Sequence, residues 1–572
     1  MDIADWIILV VTLAAVVTYG IYKGRASKNL DGYFLSNRSM PWWLILLSIM
    51  GTQASAVTFL ALPGQAYTDG MRFIQYYFGL PLAAIVICIT FVPVFSRMKI
   101  YTAYEFLETR FDVRTRAFTA FLFLLQRGLS TGISIFAPSI ILSTLLGWNI
   151  YLTNLIMGGI LIIYTVTGGA RAVAYTQKIQ LIVIFAGMFL AGFYVVHNLP
   201  AEMGLAEALE VGGKMGKMNV ITSGVIDGSF DWSDRYNLIS GIIGGFFLAL
   251  SYFGTDQSQV GRYLTAKSVK ESRLGLLMNG LVKVPVQFFI LLLGVLVFTF
   301  YQFNQAPVFF NQKEITRLEA AGHTDDLLRF RQQSQELQLA REKVLSAYSS
   351  SRDESVLEQL RPIQASTDRI RDEVKKMIRA NGGDDNDTNY IFLRFVMDYL
   401  PVGLVGLLIA VIFLASWSSV AAALNSLASS TVVDFHKRFI NKDCTHDDDY
   451  RISRRYTLAW GVFCVIVAMF AYNIGNSLIE AVNILGSLFY GTILGIFLVA
   501  FYLKKVGAKA VFIAAVIAEI LVIVMFRMSE KGLIGLGFLW LNAIGSLAVI
   551  LLSLLIQQFT GEKAKAELPM AE

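Results

Sequence analysis

Residues 51–56 read Gly51-Thr52-Gln53-Ala54-Ser55-Ala56, and Pro63-Gly64 follows within the same apolar run. That run, near 42–66, is long enough to cross a bilayer, yet its centre is small and polar. Glycine weakens a helix and proline removes a backbone donor, so the span is expected to break. A second run, near 236–255, holds Gly241-Ile242-Ile243-Gly244-Gly245 and leads into Ser251-Tyr252-Phe253-Gly254-Thr255-Asp256. Small residues also serve close helix packing, so neither run decides alone. Together they open two blocks of five spans, one entering from each side of the membrane. Broken helices at corresponding positions of inverted halves mark a midplane binding site. The expected fold is an all-α integral membrane protein with a 5+5 inverted-repeat core.

The composition agrees. Of 572 residues, 55% are hydrophobic and 16% charged, with a mean hydropathy of +0.57. Soluble domains carry about 25% charged residues, so a soluble enzyme, a disordered chain and a collagen-like chain are excluded. Three cysteines also exclude a disulfide scaffold. Runs of spanning length recur near 3–22, 42–66, 71–95, 117–146, 150–168, 174–198, 236–255, 274–303, 401–433, 456–474, 478–503, 509–526 and 536–557, which makes 13 candidate helices. The first begins Met1-Asp2-Ile3-Ala4-Asp5 and lacks the basic start of a cleaved signal peptide.

Basic residues set the expected orientation. With the N-terminus outside, the cytoplasmic side collects Arg25, Lys28 and Arg38, then Arg97, Lys99, Arg110, Arg114 and Arg116. Arg262, Lys267, Lys270 and Arg273 follow, then Lys437, Arg438, Lys442, Lys504 and Lys505, with Lys563 and Lys565 in the tail. The C-terminus is then inside. The net charge of +6 is therefore a topology signal and not a mark of nucleic acid. No Walker-type phosphate loop is present, so no nucleotide is expected. The lipid bilayer of the cell membrane is the partner this pattern implies, and a monomer is the expected functional unit.

One segment breaks the pattern. Residues 304–390 carry 13 Lys/Arg and 15 Asp/Glu, with apolar stripes at Leu327, Phe330, Leu337 and Val344 and at Val356, Leu360, Ile363, Ile370, Val374 and Met377. Two amphipathic helices packed as an outer hairpin are expected. Asp384-Asp385-Asn386-Asp387 lacks a full calcium-loop motif and reads as a solvated turn. The expected organisation is an extra helix and cytoplasmic loop (1–39), a first repeat (40–198), an outer loop (199–235), the start of the second repeat (236–303), the insertion (304–390), the rest of the second repeat (391–505), and two peripheral helices with a short tail (506–572).

The ninth span carries the sharpest chemistry, Leu414-Ala415-Ser416-Trp417-Ser418-Ser419-Val420 followed by Leu424-Asn425-Ser426. Ser418 and Ser419 lie three and four residues after Ala415, on one helix face. Their hydroxyls, the Ala415 carbonyl and carbonyls of an unwound stretch around Gly51 and Ala54 would form a neutral five-oxygen cage. Such a cage suits a hard monovalent cation, since a divalent one draws in carboxylates. Serine at these spacings also bonds back to its own helix, and spacing alone favours that simpler reading.

With these residues in view, the chain resembles the sodium/solute symporter family, whose core has the leucine-transporter-type fold from which the inverted-repeat rule itself is drawn. The motifs run from residue 33 to about 505. They are Phe34-Leu35 with Arg38 and Pro41-Trp42-Trp43, Tyr101-Thr102-Ala103-Tyr104-Glu105-Phe106-Leu107 with Arg110-Phe111, and Gly168-Gly169 with Ala172-Val173. Asp256-Gln257 with Arg262-Tyr263-Leu264 and Lys267, Pro401-Val402-Gly403 with Gly406-Leu407, and the Ser418-Ser419 and Asn425-Ser426 run complete the set. The resemblance implies a sodium ion held by the Gly51, Ala54 and Ala415 carbonyls and the Ser418 and Ser419 hydroxyls, which reverses the order of the two readings. It also implies that Tyr252 is the inner-gate tyrosine and that Lys283 stands near the substrate. A lysine inside a span is costly and functional by default; the alternative is a partner for a carbonyl or carboxylate.

The departures matter as much. Where some members build a second sodium site on an aspartate and a serine, this chain has Gln177 and Ala422, so one coupled sodium is expected. The sugar-binding pattern is replaced by Thr58, Tyr77, Leu80 and Ala249, with Tyr76 kept. Ser55-Ala56-Val57-Thr58-Phe59-Leu60 looks closer to the branch carrying organic anions, vitamins and iodide, so Lys283 could meet a substrate carboxylate. The function implied is sodium-coupled import of a small solute (organic anion, vitamin-like or sugar-like) by alternating access, without enzymatic activity. A transporter-like sensor and proton coupling are the alternatives. The short tail after Gln558 speaks against the first, and Gln177 with the neutral cage against the second. Glu480 and Glu519 fall outside the ion site, and Arg127 is an intramembrane charge whose partner the sequence does not name.

Overall fold

The computed structural model describes residues 1–24, 35, 38–441, 446–471 and 477–561. Arg25, Lys28, Phe34, Lys442, Cys444, Lys563 and Lys565 lie outside the described residues, as do the side chains of the Gly168–Val173 motif.

The chain is almost wholly helical. α1 is Ile3–Gly24, α2 Trp42–Gln53, α3 Ala56–Asp69, α4 Leu80–Ile89, α5 Phe91–Met98, α6 Glu105–Arg110, α7 Val113–Leu146, α8 Ile150–His197 and α9 Leu205–Lys214. Next come α10 Gly245–Thr255, α11 Gln257–Tyr263, α12 Val269–Phe303, α13 Gln312–Ala320, α14 Thr324–Ser351, α15 Leu360–Ala380 and α16 Thr388–Tyr399. α17 Leu404–Ser430, α18 His446–Phe470, α19 Leu478–Tyr502, α20 Ala508–Glu530 and α21 Trp540–Thr560 complete the order. The two-residue strands Val225–Ile226 and Ser229–Phe230 pair in the loop between α9 and α10. Among the described residues, nine helical stretches are long and apolar enough to cross a membrane. Four shorter apolar helices, Ile3–Val16, Trp42–Gln53, Ile150–Val166 and Ser240–Thr255, accompany them.

The two suspect runs behave differently. The first breaks between α2 and α3, where Ala54 has ψ 87° and Ser55 is extended. In the second, the glycines at 241–245 do not break the helix. They form a π turn, Ser240–Gly244, which flows into α10, and the interruption falls later, at Asp256 with ψ 119°. Close packing explains the difference. A Cβ on Gly241 would lie 2.2 Å from the Gln75 carbonyl oxygen, and one on Gly245 2.5 Å from that of Tyr76. These glycines let α10 press onto the 3₁₀ segment Gly70–Tyr77, the packing use of small residues.

The stretch read as spans 150–168 and 174–198 is helical throughout as α8, yet it is not one straight rod. Tyr164 and Thr176 share a hydrogen bond of 3.1 Å, whereas twelve residues of straight helix rise about 18 Å. α17 lies at the centre, buried along almost its whole length.

The insertion is α13, α14 and α15, with a small core of its own at Val308, Phe309, Ile315, Leu318, Leu327, Phe330, Val374 and Ile378. Val344, Leu345, Tyr348, Leu357 and Leu360 of the insertion join the main core instead. In the acidic turn, Asp385 pairs with Arg379 and Asp387 with Arg371. No cluster of three or more His, Cys, Asp or Glu suited to a metal exists among the described residues.

Candidate functional site

Breaking α2 frees the carbonyls of its last turn in mid-bundle, and α17 faces them. The Ser418 hydroxyl donates to the Gly51 carbonyl at 3.1 Å. That spacing suits two ligands of one cation with bonds of about 2.3–2.6 Å, the length calcium-sized ions make to oxygen. Ser419 instead donates back to the Ser416 carbonyl at 3.1 Å, so its hydroxyl must rotate to join a cage. Ala415, Ser418 and Ser419 are all buried on α17, and Ala54 caps α2. The structure thus joins Gly51 to Ser418 directly, with Ala415 and Ser419 on the same buried helix.

Gln177 is fully buried against this break. Its Oε1 accepts from Ser48 Oγ at 2.9 Å, and its Nε2 donates to Thr52 Oγ1 at 3.4 Å. A Cβ on Gly51 would lie 2.8 Å from Gln177 Cγ. The amide therefore braces the last turns of α2 from the side. Ala422 lies on α17 in a buried apolar group with Ala421 and Tyr164.

Next to the break is a cavity of about 130 Å³, room for about four waters at about 30 Å³ each. It is lined by Thr58, Tyr76, Tyr77, Leu80, Ala249, Tyr252 and Lys283, all seven of the residues singled out in the sequence. Val57, Leu248, Phe253, Ile479 and Val482 give it apolar walls. Lys283 Nζ stands 5.6 Å from the Tyr77 ring centre, a cation–π contact. Among the described residues it makes no ion pair and no hydrogen bond. Tyr76 donates to Asn483 Oδ1 at 3.1 Å, which leaves Asn483 Nδ2 without an acceptor, and Gln53 Nε2 is likewise unpartnered. The cavity therefore offers three donor groups with nothing to bind.

The cavity floor holds what the sequence reading missed. Arg127 pairs with Asp256 at 2.7 Å, Tyr490 donates to the same carboxylate oxygen at 2.6 Å, and the Arg127 guanidinium lies 5.4 Å from the Tyr252 ring centre. Asp256 also caps α11, accepting from the Ser258 amide at 2.8 Å. The signal was available: Arg127 and Asp256 are lone opposite charges in two apolar spans, and buried charges pair. Glu480 pairs with Arg235 at the insertion end of the bundle, and Glu519 is buried between outer helices away from the cavity.

A family model for the sodium:solute symporter family matches residues 33–323 and 372–518, leaving out all of α14 and the first half of α15. A sodium/sialic acid symporter, NanT, of Aliivibrio fischeri is 25% identical over 554 residues, covering 96% of this chain and 92% of its own. The sodium-dependent multivitamin transporter of Oryctolagus cuniculus is 26% identical over 509 residues, 87% of this chain and 66% of its own. The solved structure of a Na+-coupled sialic acid symporter, in a substrate-bound outward-open state, superposes with a TM-score of 0.74 at 22% identity, covering 99% of both chains. At that identity it speaks for the fold.

Proposed function

Since the chain belongs to the sodium:solute symporter family, and is a multi-pass membrane transporter with sodium as its coupling ion and not an enzyme, we propose that it imports a small organic anion with one sodium per cycle. The observation that carries the solute class is Lys283, an ammonium at the cavity wall with no carboxylate beside it. An uncompensated charge in a span is expensive, and a substrate carboxylate would supply the missing partner. Gln53 and Asn483 add unpartnered amide donors for further carbonyl or carboxylate oxygens. The apolar walls suit a short carbon body. Relatives named for sialic acid and for vitamins support a solute of this kind.

One sodium is supported by Gln177 and Ala422, which give neither charge nor hydroxyl for a second. In our reading, sodium drawn to Gly51, Ala54, Ala415, Ser418 and Ser419 pins the break between α2 and α3, and α3 carries Thr58 into the cavity. Occupation of one site thus favours the other, as linkage requires. We take the basic end of the bundle as cytoplasmic, the N-terminus as outside, and the nine long and four short apolar helices as 13 spans, with the monomer as functional unit.

The test is uptake into proteoliposomes under a sodium gradient of sialic acid, lactate, biotin and glucose. Sodium-dependent uptake of one of the acids, lost in Lys283→Met and absent for glucose, supports the reading. Glucose uptake that survives Lys283→Met would sink it.

A further inference from the structure

Beneath the cavity, toward the end of the bundle that bears Lys99, Arg110, Arg262 and Lys504, α11 packs against α2, α12 and α17. Three fully enclosed amides lie on it and on two of these helices. Gln259 on α11 donates to the Tyr252 hydroxyl at 2.8 Å, and its Oε1 has no partner. On α12, Asn279 has neither side-chain atom bonded, and on α17 the same holds for Asn425. All three residues are at least nine-tenths buried: 0%, 0% and 3% exposed.

Their register is not random. Asn279 is four residues before Lys283, so it lies on the cavity-facing side of α12, one turn nearer the basic end. Asn425 is seven residues after Ser418, on the same face of α17, about 10 Å nearer that end. Each orphaned polar atom in a dry interior costs free energy that an apolar side chain of the same size would not. In a bilayer no outside water relieves it. Amides at three such positions are sensible if another state of the bundle hydrates them.

We infer that Gln259, Asn279 and Asn425 line the path by which sodium and solute leave the cavity, with the Asn425 carbonyl oxygen as a resting point for the departing sodium. The inference rests on the transport reading above. In the form seen here the amides are buried, with Gln259 Oε1 and both side-chain polar atoms of Asn279 and Asn425 lacking a protein partner. When α11 swings from α12 and α17, they meet water, the ion and the solute. Asn425 Oδ1 repeats the chemistry of the cradle it follows, a neutral oxygen for a monovalent cation.

The experiment uses the full chain with Cys88, Cys444 and Cys464 replaced by alanine, carrying Gln259→Cys, Asn279→Cys or Asn425→Cys in turn. A charged, membrane-impermeant thiol reagent is applied to either face of proteoliposomes, with and without sodium. Reaction only from the basic-end face, slowed about tenfold by sodium that holds the break in place, is the expected result. Reaction from the insertion face, reaction indifferent to sodium, or reaction no faster than at lipid-facing Leu281→Cys would overturn the path. Radioactive sodium supplies the second arm. Asn425→Leu should leave equilibrium sodium binding unchanged and slow sodium release about tenfold, the scale of one lost polar partner, while Asn425→Ser should restore most of the rate. Equal slowing in both variants overturns the resting point. If the cysteine-free parent shows sodium-dependent uptake of no acid tested, the transport reading fails by itself, and the labelling pattern still decides the path.

Discussion

Arg127 and Asp256 are joined at 2.7 Å across the floor of the cavity, from α7 to the interruption between α10 and α11. Asp256 is wholly buried and the arginine nearly so. Breaking such a pair from one side leaves an unpaired charge and costs about 3–5 kcal/mol, while replacing both partners with apolar residues is often neutral. Arg127→Leu and Asp256→Leu should therefore each depress thermal unfolding in detergent strongly, and the double variant should recover much of the loss. Because Tyr490 and Tyr252 also lean on the pair, the double variant should fold yet transport poorly. A double variant as unstable as the sum of the singles would refute the coupling.

Gly51 and Gln177 form the second testable contact. With 2.8 Å between a hypothetical Cβ and Gln177 Cγ, Gly51→Ala must push either the amide or the end of α2 aside. The Gly51 carbonyl would leave the Ser418 hydroxyl, so sodium affinity should fall about tenfold, the scale of one charge-assisted contact. Radioactive sodium binding checks this. Gln177→Ala in the same chain should restore part of the affinity by making room. The converse change, Gln177→Asp with Ala422→Ser, should move the sodium Hill coefficient from one toward two.

How much of this was legible follows from which contacts are local. The break after Gln53 could be read from Gly51 to Ala56 because the sequence itself is a poor helix there. The glycines at 241–245 looked alike and behaved otherwise, because their role is the close approach to Gln75 and Tyr76, which lie in another repeat. The cavity residues were legible through resemblance. Gln53 and Asn483 were not, since an amide becomes a site residue only when its neighbours leave it unpaired. Arg127 could be flagged as costly, but its distance of 129 residues from Asp256 hid the partner.

The insertion has a pH response of its own. Burial pushes the Asp384 carboxyl up to about 6, and the nearby acids Glu314, Asp385 and Asp387 act in the same direction, against the Asn386 amide that donates to it. A carboxyl whose folded value is raised is best tolerated when protonated. Its contribution to stability is full below about pH 4, its unfolded value, and is lost as pH rises toward 6. Hydrogen exchange in α13 and α15 should accordingly quicken between pH 4 and 6, after correction for the intrinsic rate. Asp384→Asn should flatten that rise, and an unchanged slope in the variant would assign the response elsewhere.

The insertion is also fastened to the segment that follows α8. Arg352 pairs with Glu207 at 3.0 Å and donates to the Glu202 carbonyl at 2.8 Å, while Lys214 pairs with Glu354 at 2.9 Å. These ion pairs are exposed and each is worth about 0–1 kcal/mol, so Arg352→Ala should change the melting temperature little. Deleting residues 324–371 is different. It would uncover the face that Val344, Leu345, Tyr348, Leu357 and Leu360 bury in the main core, at about 1.5–3 kcal/mol per large side chain. The deletion should aggregate or melt early, and a deletion as stable as the parent would show that the hairpin is a passive cap.

The charge of the solute makes the last prediction. One sodium moving with a monovalent organic anion transfers no net charge, so membrane potential should not alter accumulation. A tenfold sodium gradient is worth about 1.4 kcal/mol and should support about tenfold accumulation at any potential. A neutral solute with one sodium would instead gain about 2.3 kcal/mol per 100 mV, about fifty-fold more. Proteoliposomes clamped by a potassium gradient and valinomycin separate the two. Accumulation that rises steeply with inside-negative potential would exclude the pairing of one sodium with a monoanion. It would leave either a neutral solute or a second sodium, and the Hill coefficient would then distinguish these. Flat accumulation, together with loss of uptake in Lys283→Met, would tie the lone ammonium of the cavity to the charge it neutralises.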